Sequence, residues 1–129
     1  MNEHRREGRE HALQIMYQIE CGTIPKDAIC DFFERFSKSE NEKQFTLQLV
    51  LETNKNKNEI DKKISLHSLK WRLERMSMVD RNILRLATYE LNYNKEPHKV
   101  ILNEWIEIAK IFSTENSARF VNGVLNSML

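Results

Sequence analysis

The sequence predicts an all-α protein of about seven helices, and three observations predict it. Apolar residues recur at helical steps of three and four from one end to the other. Alternating strand-like runs are scarce. Only three glycines and two prolines occur in 129 residues, which leaves little turn chemistry for a sheet protein. A chain of this length forms one domain and buries a core without needing disulfides or a metal.

The first helix is expected from about Glu3 to Glu20, with Ala12, Leu13, Met16, Tyr17 and Glu20 on one face. Its opening is charged on all sides and carries Arg5, Arg6 and Arg9. A helix dipole disfavours cations at its N-terminus, so these arginines do not read as a stability device. They read either as a solvated, frayed end or as phosphate contacts. Gly22 suits a C-terminal cap and Pro25 the start of a second helix, Lys26 to Phe36, with Ile29, Phe32, Phe33 and Phe36 inward. Ser37 to Asn41 reads as a polar linker.

A third helix begins near Glu42 and carries Phe45, Leu49, Val50, Ile60 and Ile64. Thr53 to Asn58 holds no apolar residue, so this helix either loses its core contact midway or bends there. Ser65 to Arg75 is amphipathic, with Leu66, Leu69, Trp71 and Leu73 expected to be buried. Ser77 followed by Asp80 fits a capping box that opens a strongly apolar helix through Ile83, Leu84, Leu86, Ala87 and Leu91. Pro97 separates it from a helix in which Ile101, Trp105, Ile108 and Phe112 share a face. Ser113 to Ser117 is rich in cap formers, and Phe120, Val121, Val124, Leu125 and Met128 line the final helix.

Composition narrows the function. A net charge of +1 does not announce a nucleic-acid binder, so any such contact has to come from a local patch. No long apolar run opens the chain, which reads as cytoplasmic and without a membrane segment. Two cysteines give no disulfide framework, and the four histidines lack metal-ligand spacing. There is no phosphate loop, nucleophile elbow or dinucleotide fingerprint. Glu104 and Glu107 have no Glu-x-x-His partner motif and read as solvated or capping residues. The sequence points to neither an enzyme nor a cofactor.

Four segments in order resemble the NusB family of bacterial transcription antitermination factors. They are Arg5 to Tyr17, Trp71 to Leu91, Asn103 to Phe112 and Phe120 to Leu125. Each alone is moderately specific; the ordered set spans the chain at the family's usual length. The resemblance implies two small helical-bundle subdomains, about 1–64 and about 65–129. It further implies binding to the boxA element of ribosomal RNA transcripts together with the small-subunit ribosomal protein also called NusE, in a complex that joins RNA polymerase. Self-association through the partner surface, giving a homodimer, is compatible with that role.

Carried over residue by residue, the resemblance assigns RNA contact to Arg5, Arg6, Arg9, Tyr17, Glu74, Asn116 and Arg119, and partner contact to Asp80 and Phe120. Tyr17 offers base stacking or serves as a core-edge tyrosine. Core packing competes for Phe120, and helix capping for Asp80. Two positions depart from the family pattern: Glu7 interrupts the basic opening, where Gly8 also weakens the helix, and Asn116 stands where Asp is common. Asn122 and Gly123 are expected to serve close helix packing, since glycine inside a helix otherwise costs about 1 kcal/mol. Two alternatives are an accessory domain like that of ribosomal-RNA cytosine methyltransferases and a helical interaction module without an RNA role.

Overall fold

The computed structural model describes residues 2–36 and 39–129, with side chains in the first helix from Arg5 onward. The described residues form seven α-helices: α1 (Asn2–Glu20), α2 (Pro25–Arg35), α3 (Glu40–Lys55), α4 (Lys57–His67), α5 (Met78–Tyr93), α6 (His98–Phe112) and α7 (Glu115–Ser127), with a 3-10 turn at Leu73–Arg75. No strand occurs among the described residues.

Several ends form as the local chemistry dictates. Gly22 adopts φ 113° after α1, while Gly22 N–H donates to Ile19 O at 3.0 Å and Thr23 N–H to Gln18 O at 3.1 Å. That pair of bonds is a Schellman cap, which needs the left-handed conformation that glycine adopts without steric cost. The Ser77 hydroxyl accepts from Asp80 N–H at 3.1 Å to open α5, and Thr114 accepts from Ser117 N–H at 3.0 Å to open α7. Ser39 accepts from Glu42 N–H at 3.3 Å, so α3 starts inside the segment read as linker; Ser37 and Lys38 lie outside the described residues.

The expected number of helices is reached by a different route. The single third helix is two, broken at Asn56, whose side-chain amide donates to Glu52 O at 2.8 Å and ends α3. The amphipathic helix expected over Ser65 to Arg75 does not form. Residues 68–72 are irregular, Leu66 and Leu69 are 76% and 95% exposed, and Trp71 is 48% exposed. Of the four apolar residues expected inside, Leu73 alone packs against the core.

Helix α5 lies at the centre and packs against α1, α3, α4, α6 and α7. Ile83, Leu84, Leu86 and Ala87 are fully buried on it, and they meet Ile15, Ile60, Ile64, Ile101, Trp105, Ile108 and Leu125 in one core. Gly8 marks a close approach of α1 and α3. A Cβ there would stand 2.8 Å from the Phe45 ring, and the buried Thr46 hydroxyl donates to Gly8 O at 3.1 Å. The residue that weakens α1 locally is the one that lets α3 dock on it.

Candidate functional site

Arg5, Arg6 and Arg9 are not a frayed end; they tie α1 to the C-terminal half. Arg9 is 1% exposed, and its Nε and Nη2 donate to the two Glu90 carboxylate oxygens at 2.6 and 2.8 Å. Its Nη2 also reaches Glu96 at 3.1 Å. Glu90 is completed by the Trp105 indole N–H at 2.8 Å and the Asn94 amide at 2.8 Å. Arg6 forms a bidentate pair with Glu104, both bonds 2.8 Å, and Arg5 pairs with Glu96. Fork-to-fork geometry of this kind fixes orientation as well as charge. Glu104 is therefore no solvated carboxylate: the Arg6 hydrogen bonds hold it below the usual carboxylate range against the opposing effect of burial. Glu107 does face solvent, paired with Lys110 at 3.1 Å. In this arrangement Arg9 has no surface to offer a phosphate, whereas Arg5 and, in part, Arg6 do.

The other end of α1 is tied by a second ionic cluster. Glu20 accepts from Arg81 Nε and Arg85 Nη1, both at 2.7 Å, and Arg85 also pairs with Asp61 at 2.8 Å. Burial pushes the Glu20 carboxyl up, but the hydrogen bonds from Arg81 and Arg85 outweigh it and hold the group low. Arg81 Nη1 also donates to Met76 O at 3.0 Å and, more weakly, to Leu73 O and Glu74 O at 3.5 Å. This guanidinium thus pins the 3-10 turn, with the exposed Glu74 on it, to the end of α1 that carries the 37% exposed Tyr17.

Beyond the turn opens a groove of about 910 Å³ between residues 67–80 and α7. Leu69 and Trp71 contribute apolar surface, Phe120 and Val124 its α7 side, and Lys70, Arg75 and Arg119 its charge. Asp80 and Asn116 also line it. Asp80 is 8% exposed, and its Oδ1 is buried without a hydrogen-bond partner. Phe120 is half-buried, packs against the core and still faces the groove, so both of its expected roles are compatible with its position. The Arg119 guanidinium donates to Asn116 Oδ1 within the same helix. Gly123 does not serve close packing: nothing lies within 4 Å of a Cβ there, and it leaves the groove floor open.

The structure therefore separates the site residues of the sequence analysis into two groups. Asp80, Asn116, Arg119 and Phe120 share the groove, and Tyr17 and Glu74 belong to elements pinned together beside it. Arg5 and Arg6 lie at the other end of α1, twelve and eleven residues from Tyr17, or about 16–18 Å along the helix. Leu69, Trp71 and Gly123 line the groove, whereas the sequence predicts packing for all three. One signal existed: Trp71 falls off the three-and-four spacing of Leu66, Leu69 and Leu73, which a helix face does not tolerate.

The chain is similar to known proteins over nearly its whole length. The NusB family model matches residues 6–129. The chain is 45% identical over 127 residues to the transcription antitermination protein NusB of Desulforamulus reducens, covering 97% of this chain and 89% of that protein. It is equally similar to the protein of the same name from Bacillus cereus, covering 96% and 95%. The fold superimposes on T. maritima NusB with a TM-score of 0.88 at 35% identity, over 96% of this chain and 89% of that one. It superimposes on a structure of antitermination factors NusB and NusE in complex with dsRNA with a TM-score of 0.90 at 26% identity, over 99% and 97%.

Proposed function

The chain belongs to the NusB family, and from that membership we propose that it is a transcription antitermination factor that binds RNA together with a NusE-type ribosomal protein. The proposed RNA is the boxA element of ribosomal RNA transcripts, and the assembled complex joins RNA polymerase in the cytoplasm. The mechanism is assembly and requires no bond making.

One observation carries the partner half of this reading. The groove combines exposed Leu69 and Trp71 with the half-buried Phe120 and an Asp80 carboxylate oxygen that is buried and unsatisfied. Contiguous exposed apolar surface marks interaction sites, and a buried acceptor without a donor is costly until a partner supplies one. A protein presenting an apolar side chain and a Lys or Arg donor meets both needs. RNA contact is assigned to Arg5, Arg6, Tyr17, Glu74, Asn116 and Arg119. Arg9 supports it indirectly, by holding α1 in place. The cations assigned to RNA are Arg5, Arg6 and Arg119, the first two already paired with carboxylates, and so modest a set gives few phosphate contacts and a shallow salt dependence for the isolated protein.

We therefore expect weak boxA binding by the protein alone, tightened markedly by the cognate NusE-type protein. Fluorescence anisotropy on a labelled boxA RNA across a salt series, with and without that protein, measures it. Trp71→Ser should abolish the partner's effect with little loss of stability, because half of this side chain is already in water. Equal RNA affinity with and without the partner sinks the proposal, and no RNA binding in either case leaves a protein-interaction module.

A further inference from the structure

Glu7, the acidic residue that interrupts the basic opening, stands across from α3 in a cluster that the RNA and partner readings do not use. Glu7 and His11 lie four apart on α1 and so share a face. Glu42 lies in the first turn of α3, four residues before Thr46, whose hydroxyl bonds Gly8 O. The close approach at Gly8 therefore sets the Glu7 and His11 row against the Glu42 and Thr46 row. Ligand atoms from Glu7, His11 and Glu42 all fall within 4.8 Å of one another.

Burial distinguishes this cluster from ordinary surface carboxylates. His11 is 8% and Glu42 7% exposed, and the Glu42 Oε1 is buried without a hydrogen-bond partner. The imidazole stands against the Phe32 ring at 4.8 Å between centroids and the Phe36 ring at 6.1 Å. A buried carboxylate oxygen without a donor is costly until a positive group pairs with it. A divalent cation would satisfy it.

We propose that Glu7, His11 and Glu42 form a binding site for a first-row divalent metal ion, with zinc as the best-fitting ion, at the junction of α1, α2 and α3. Two carboxylates and one imidazole match the oxygen and nitrogen ligands zinc accepts, and the pair of carboxylates balances the ion's charge. Tetrahedral ligands at about 2.1 Å from the ion stand roughly 3.4 Å apart. Closing from at most 4.8 Å calls for small rotations of the Glu7 and Glu42 carboxylate side chains. The fourth position is left to water. An ion here staples α1 to α3 and is separate from the groove.

The test uses the full chain with both exposed cysteines replaced, Cys21→Ser and Cys30→Ser, so that thiols cannot bind the probe. Zinc chloride should bind with one-to-one stoichiometry by calorimetry and raise the melting temperature by several degrees. Cobalt should give the visible absorption of a low-coordinate nitrogen and oxygen site. Glu42→Gln should weaken zinc binding at least 10-fold. Glu7→Gln, at a half-exposed position that does not threaten folding, should weaken it similarly. Neither change should alter partner-dependent RNA binding measured in a chelator. No zinc binding, or binding that Glu7→Gln leaves intact, overturns the proposal.

Discussion

At the scale of single residues, the arginines of α1 show how a locally unfavourable choice becomes a tertiary tether. Against the helix dipole they cost a few tenths of a kcal/mol each. Their carboxylate partners lie 81 to 98 residues away in sequence, so no local pattern reveals them. Arg9 is the most consequential because it is fully enclosed together with Glu90. Arg9→Met should destabilise the protein by about 3 kcal/mol, the low end for breaking a buried pair, because Trp105 and Asn94 still donate to Glu90. Adding Glu90→Gln removes the stranded charge and should recover part of that loss. Urea unfolding of the single and double variants measures both, and a double variant no more stable than Arg9→Met would show that the charge is not the cause.

At the scale of elements, two glycines in helices have opposite meanings. Gly8 is a docking surface, where a methyl would overlap the Phe45 ring, whereas Gly123 faces open groove. Gly8→Ala should cost about 1–3 kcal/mol through overpacking. Gly123→Ala should gain up to about 1 kcal/mol from helix propensity. Opposite shifts in the urea midpoint are the expected result, and a stabilising Gly8→Ala would refute the close-approach account. The same scale explains the division of the third helix and the loss of the fourth. Thr53 to Asn58 offers nothing apolar to hold a continuous helix on the core, and Asn56 bonds the preceding turn instead. Over residues 68–72, Arg81 holds the adjoining turn through its backbone carbonyls. Helical propensity there gives way to a conformation that leaves Leu69 and Trp71 outside.

At the scale of the whole molecule, Glu20 and Glu104 join distant parts of the chain at opposite ends of α1. Both carboxyls are held below their ordinary value of 4.5, Glu104 chiefly by its hydrogen bonds to Arg6 and Glu20 by Arg81 and Arg85 against burial. A depressed folded-state value contributes stability above the unfolded value and loses it as pH falls through the folded one. The urea midpoint should therefore hold steady at pH 6 and decline as pH drops below about 4.5. The Glu20→Gln and Glu104→Gln double variant should start lower and fall less steeply. A double variant as pH-sensitive as the parent would assign the acid loss to other carboxylates.

Much of the fold is legible in the chain alone, because helix starts, stops and core faces depend on neighbours within four residues. Gly22, Pro25, Ser77 and the Ile101, Trp105 and Ile108 face all follow from that rule, and the ordered segments identify the family. The site is legible only in part. Asp80, Asn116, Arg119 and Phe120 could be named from the resemblance, but their meeting across one groove depends on the packing of α5 against α7. Whether Arg9 faces solvent, whether Trp71 is core, and whether a helical glycine marks contact or open space were decided by the tertiary structure. Each depends on groups far away in sequence, and helical spacing carries no information about them.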